Sequence, residues 1–305
     1  MKKFFSPLTK LLTAVLVACA LFVPAKTFAA EDEGMAAFRE VLEKDSDPSD
    51  RIFRQDTYIL AMPFIGELDF LGMVDKGNVF KAAGDFSYWI YNDDGSTTEK
   101  IVPFYLVQDK SALTLYFKRD KNWEKLTAPT LAATIADRIA TPTGDEIQKL
   151  IDDTKAVTIL QDDDKSRTLL IEIDGNKMAD DFKAAAEQTS DPANAEVTDN
   201  ASRYIDSALR NGDMWYMWTV DKRDWHTVVL QYNFSSFLQG IARAALQDPK
   251  QMWPDEIRVM LERVAFYSEL RSYTMYPADP AAKKKFDIPK NVLKAKDISL
   301  VDIKK

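Results

Sequence analysis

A change of hydrophobic period along the chain limits its fold more than any other feature. Between Arg51 and Leu126, β-branched and aromatic residues are gathered into short runs. Turn residues break these runs at Pro63, Gly66, Gly77-Asn78, Asn92-Asp93-Asp94-Gly95 and Asp109-Lys110. Branched and aromatic side chains suit a pleated surface, whereas Gly, Pro, Asn and Asp suit the bends between strands. The pattern predicts antiparallel strands joined by hairpins. Alternation is clearest from Ala112 to Lys118, where Leu113, Leu115 and Phe117 share one face and Thr114, Tyr116 and Lys118 the other. Two further hairpins are expected. One joins Ala156–Leu160 to Arg167–Asp174 through Asp162-Asp163-Asp164-Lys165, and the other joins Met214–Val220 to His226–Asn233 through Asp221-Lys222-Arg223-Asp224. A last strand near Leu270 to Met275 precedes a Lys-rich C-terminal segment.

Elsewhere the period is helical. Met35, Phe38, Val41 and Leu42 mark a helix over Ala30 to Asp45, and Leu131, Ile135 and Ile139 mark one within Ala128 to Asp153. Residues 175 to 212 read as helical at both ends of a polar middle at Asp191-Pro192-Ala193-Asn194. Two amphipathic helices follow. The first, Phe234 to Gln247, places Phe234, Phe237, Leu238, Ile241 and Ala245 on one face. The second, Pro254 to Phe266, does the same with Ile257, Met260, Leu261 and Val264. Strands segregated from helices, rather than alternating with them, indicate an α+β fold built on an antiparallel sheet. No strong boundary interrupts the pattern, so residues 30–305 are read as one domain with helical insertions around 127–155 and 175–212.

The N-terminus has the three-part layout of a secretory signal peptide. Lys2 and Lys3 precede an apolar run from Leu11 to Val23, followed by Pro24 and the small-residue stretch to Ala30. Cleavage is expected near Ala29, which places the mature chain outside the cytoplasm, in the periplasm or cell envelope. Leu16-Val17-Ala18-Cys19 also matches a lipobox that would anchor the chain by a lipid on Cys19, but the apolar run continues past the cysteine where a tether normally turns polar. The run is too short to span a bilayer comfortably, and no other segment reaches the roughly twenty apolar residues required, so no transmembrane segment is expected in the mature chain.

Composition excludes several functions. Cys19 is the only cysteine, so cleavage at Ala29 removes disulfides, thiol nucleophiles and thiolate metal sites together. The chain carries 40 basic and 48 acidic residues, and loss of Lys2, Lys3, Lys10 and Lys26 moves the formal charge from −8 to −12. An acidic surface does not suit nucleic acid. The single histidine, His226, stands beside Trp225 without a nucleophile elbow. No phosphate loop, H-E-x-x-H or dinucleotide fingerprint occurs. Asn92-Asp93-Asp94-Gly95 and Asp162-Asp163-Asp164 lack the spaced ligands of an EF-hand loop and read as hairpin turns. No catalytic residues, metal or other cofactor are expected.

Three segments carry a family resemblance: Leu113-Thr114-Leu115-Tyr116-Phe117 with Asn122-Trp123-Glu124-Lys125, Met217-Trp218-Thr219-Val220-Asp221-Lys222, and Phe286-Asp287-Ile288-Pro289-Lys290-Asn291-Val292. With the order of elements, they make the chain similar to the LolA/LppX-like, lipoprotein-carrier-like superfamily of bacterial extracytoplasmic proteins, in its uncharacterised branch. The resemblance implies a strongly curved antiparallel half-barrel with helices covering its concave face. It also implies an acyl chain or other apolar ligand between sheet and helices. The chain departs from a minimal carrier by a longer insertion over 127 to 212 and an imperfect lipobox.

The aromatic residues sharpen this expectation. Phe86, Tyr88, Trp89 and Tyr91 crowd one strand, Phe104 and Tyr105 the next, and Trp215, Tyr216 and Trp218 another. Two readings are open. Both faces could be packed core. Alternatively Phe70, Phe86, Phe104, Leu115 and Met217 line a cavity beneath the helices at 234–266, with Phe237 and Ile241 facing it. The carrier reading makes the protein a non-catalytic binder of a lipid or acyl chain, with those two helices as its lid. The alternative is an envelope interaction or assembly protein with a filled core and a protein partner.

Overall fold

The computed structural model describes residues 33–45, 51–61, 64–75, 79–92, 94–129, 144–189, 195–276 and 285–298. The expected signal peptide, the stripe at Leu131, Ile135 and Ile139, and the polar middle at Asp191-Pro192 lie outside the described residues. β1 (Ile52–Ala61), β2 (Phe64–Val74), β3 (Phe80–Tyr91), β4 (Thr97–Gln108), β5 (Ala112–Arg119) and β6 (Asn122–Pro129) form an antiparallel meander. β7 (Thr154–Asp162), β8 (Ser166–Ile173), β9 (Trp215–Asp221) and β10 (His226–Asn233) form a second. β11 (Glu269–Met275) lies between β1 and β10 and pairs with both, while the two-residue β12 (Lys296–Asp297) runs parallel to β6. The result is one curved, unclosed sheet in the order β12-β6-β5-β4-β3-β2-β1-β11-β10-β9-β8-β7, the antiparallel half-barrel of an α+β protein.

The turns explain themselves chemically. At the β3–β4 hairpin Gly95 takes φ +80°, and Asp94 accepts hydrogen bonds from the Ser96 amide and hydroxyl. At the β7–β8 hairpin Asp163 accepts the amides of Lys165 and Ser166 and a Gln161 side-chain bond, which together draw its carboxyl down to about 2. These carboxylates close turns, as such residues do when they mimic a backbone acceptor.

The longer described helices occupy one face, here the inner face. α1 (Glu33–Lys44) and α2 (Gly144–Asp152) lie over β7–β9, where Phe38, Val41 and Leu42 join Leu169, Ile171, Trp218 and Val220 in one core cluster. Buried Arg167 ties α1 to the β7–β8 turn through Glu40 (2.7 Å) and Asp162 (2.8 Å). α3 (Gly175–Thr189) and α4 (Ala195–Asn211) connect β8 to β9. α5 (Ser235–Gln247) and α6 (Asp255–Tyr267) connect β10 to β11. Their apolar stripes meet Ile59 of β1 and Leu270 of β11 in the largest cluster. The C-terminal segment passes over the outer face. There Phe286 packs on Ile52 and Met73, α7 (Lys290–Leu293) follows, and the Ile298 amide bonds to the Lys125 carbonyl at 2.9 Å.

Candidate functional site

Register decides which strand residues share a face, because directly opposed residues in an antiparallel pair project to the same side. One inner row runs Phe53, Gly72, Ala82, Leu106, Leu115 and Leu126 across β1 to β6. The next runs Phe70, Gly84, Phe104 and Phe117, and the one after Leu68, Phe86 and Val102. Strands β2 to β5 thus present an inner face that is almost wholly apolar.

Aromatic rings knit this face together. Phe53 and Phe70 are edge-to-face at 6.1 Å, Phe70 and Phe104 at 6.0 Å, and Phe86 lies 6.3 Å from Phe64 and 5.6 Å from Tyr88. Gly72 makes room for this arrangement. A Cβ there would stand 2.3 Å from the Phe53 ring, so only glycine lets that ring lie flat on the neighbouring strand. Phe53, Val74, Phe80 and Ala82 are buried in a cluster with Phe70, Phe104, Leu106 and Tyr276, and no described helix contributes to it. Away from that cluster, Leu68, Phe86, Tyr88, Val102, Leu113, Leu115 and Phe117 are only half-buried.

A polar seam bounds this face at the β1–β11 joint. The Thr57 and Ser272 hydroxyls are 2.9 Å apart, and Gln55 bonds to both Ser272 and Thr274. Beyond the seam the inner face lies under helices, and the Tyr216 and Tyr232 phenols there are pushed up by burial, Tyr232 to about 12.

Of the residues singled out from sequence, Phe70, Phe86, Phe104 and Leu115 come together on the open inner face. Met217 does not. It is in register with Leu170 and Gln231, while its neighbours Tyr216 and Trp218 face inward, so alternation along β9 puts Met217 on the outer face. Phe237 (1 % exposed) and Ile241 (6 % exposed) are packed among α4, α6, Ile59 and Leu270, so side chains fill the space beneath α5 and α6. The joint between these helices is also pinned. Asp248 accepts bonds from Tyr204 (2.8 Å), Arg203 (3.1 Å) and the Lys250 amide (2.9 Å), and the Trp253 indole donates to the Ala245 carbonyl (2.8 Å). Leu68, Tyr88, Val102 and Leu106 share this face but were not singled out as its lining from sequence. The two-residue alternation would have found them once Phe86 and Phe104 were assigned a side.

His226 lies with Asp221 and Asp224 in the one group of three potential metal ligands among the described residues. Its ring bonds to Asp224, and the Arg223 guanidinium engages both oxygens of Asp221 and holds that carboxyl far below the usual range. This arrangement is a hairpin turn closed by the Arg223–Asp221 ion pair and the His226–Asp224 hydrogen bond, with Trp225 at φ 57°.

Fold and face together define an α+β protein on an open half-barrel, with one half of its inner face packed by helices and the other apolar, with no helix among the described residues in its cluster. No known family profile and no curated protein matches the chain. Solved structures do match. One is LprF from Mycobacterium bovis, 11% identical, with 85% of this chain and 99% of that chain covered at a TM-score of 0.34. No helix among the described residues is long and apolar enough to cross a membrane.

Proposed function

We propose that the protein is a non-catalytic binder of a lipid or acyl chain, held against the inner face of β2 to β5. The observation behind this is the row-by-row apolar lining of that face, half-buried and, among the described residues, without a helix in its cluster. Each methylene moved from water onto such a face contributes roughly 0.8 kcal/mol, so a long acyl chain can be held without any specific polar contact. Phe70, Phe86, Phe104 and Leu115 form the contact surface, which shifts the site from beneath α5 and α6 to the strands beside them. The basic and apolar N-terminal run adds an extracytoplasmic location to the proposal.

The test is native mass spectrometry of protein purified from its own host, followed by uptake of a fluorescent fatty acid by the lipid-extracted protein. A stoichiometric lipid, or saturable uptake, that is lost in Phe104→Asp while circular dichroism is unchanged supports the proposal. An apo mass with no uptake sinks it and leaves the face to a protein partner.

A further inference from the structure

The outer face of the same strands carries an open groove of 590 Å3, within the few-hundred to one-thousand Å3 range of small-molecule sites. Its polar and aromatic walls come from separate parts of the chain: Arg54 of β1, Asp69 of β2, Asp85 of β3, Tyr105 of β4, Trp123 of β6 and Lys285 of the C-terminal segment. Leu71, Ala83 and Pro103 supply apolar lining between them.

Three observations set this groove apart from ordinary outer surface. Asp56, Asp69 and Asp85 stand directly opposite one another on β1, β2 and β3. Like charges so placed destabilise a sheet, so strand pairing alone gives no reason for the row. Only Asp69 has a cationic partner among the described residues, the Arg54 guanidinium at 2.9 and 2.8 Å. Burial and the Asp69 charge hold the Asp56 carboxyl above its ordinary range. Second, the Tyr105 and Trp123 rings lie 5.7 Å apart with planes at 43°, giving two aromatic faces beside the carboxylates. Third, the lining charges cancel, with Arg54 and Lys285 against Asp69 and Asp85.

The residues that line the groove carry two cations and two anions, so no excess charge favours an ion of either sign. What it offers instead is ring faces, carboxylate acceptors and a planar guanidinium donor around an apolar lining. That set is complementary to a neutral polyhydroxylated ring, whose C–H face stacks on an aromatic side chain while its hydroxyls donate to carboxylates and accept from the guanidinium. We infer that the outer groove binds a neutral saccharide. This is independent of the inner-face reading, because the groove residues other than Phe70, Gly84 and Phe104 lie on the opposite side of the sheet.

Saturation-transfer NMR on the whole protein tests it, with cellobiose, maltose and diacetylchitobiose as the three probes. Transfer to the ring C–H protons of at least one disaccharide is expected. Trp123→Ala should weaken that binding about tenfold or more, a loss of about 1.4 kcal/mol. Asp85→Asn, an exposed substitution that leaves the sheet intact, should weaken it severalfold. Fatty-acid uptake should be unchanged in both variants. The inference fails if none of the three sugars shows transfer, or if transfer persists unchanged in both folded variants.

Discussion

Asp153 is a residue whose protonation state bears directly on stability. It joins α2 to β7, is 5 % exposed, and neither of its carboxylate oxygens has a hydrogen-bond partner among the described residues. Burial is the main cause that pushes its carboxyl up to about 8. Asp181 of α3 and Asp152 of α2 add to this, and Lys149 of α2 and Lys177 of α3 oppose it. A carboxyl raised on folding is protonated in the native chain and ionised in the unfolded one at neutral pH. Its favourable contribution is complete below the unfolded value near 3.8 and is lost as pH rises toward 8. Stability measured by urea melts should therefore decline from pH 4 to 8 by more in the native chain than in Asp153→Asn. The variant should be the more stable protein at pH 9 by on the order of 1–3 kcal/mol; equal pH slopes in the two would count against this account. Nothing local predicts it, since Asp152-Asp153 resembles any acidic pair ending a helix until α3 packs beside it. Gly72 gives no local signal either. It interrupts a strand without a turn, and its role appears only when the Phe53 ring is seen to lie over it. Gly72→Val should cost about 1–3 kcal/mol by overpacking, read from the midpoint of denaturation.

Among the elements, α5 and the inner face of β2 to β5 carry the same kinds of side chain in opposite situations. Phe237→Ala should cost about 3–5 kcal/mol, because the ring is fully enclosed and its removal leaves a void. Phe86→Ala should cost below about 2 kcal/mol, because a half-exposed ring gives up only part of its burial. Fatty-acid uptake should rank the two the other way, with Phe86→Ala impaired and a folded remnant of Phe237→Ala still competent. Helical periodicity made the stripe of α5 legible, and strand alternation did the same for Leu113, Leu115 and Phe117. What periodicity could not supply was the side to which each distant strand turns its even or odd residues. That is why Met217 joins Leu170 and Gln231 on the outer face. The joint between α5 and α6, where Pro249 and Pro254 restrict the backbone, is held by the bonds of Asp248 and the Trp253 indole. Asp248→Ala should lower the melting temperature, and a scanning calorimetry trace identical to the parent would contradict that role.

At the scale of the whole molecule, hairpins give the two meanders, and their order could be read from the turn residues. The insertion of β11 between β1 and β10 could not, because it depends on contacts between chain segments that share no local pattern. Thr57 and Ser272, which meet in that seam, are 215 residues apart in sequence. Closing so long a loop is entropically costly before any contact compensates it, so the β1–β11 pairing should form last in time. Pulse-labelled hydrogen exchange during refolding should show amides of the β3–β4 hairpin protected before those of β1 and β11. Until the seam closes, β1 and β10 are bare edges flanked by aromatic surface, a template for a neighbouring chain. Refolding yield should therefore fall steeply as protein concentration rises, and the seam that divides the finished sheet would be the point at which chains in a crowded refolding mixture pair with one another instead.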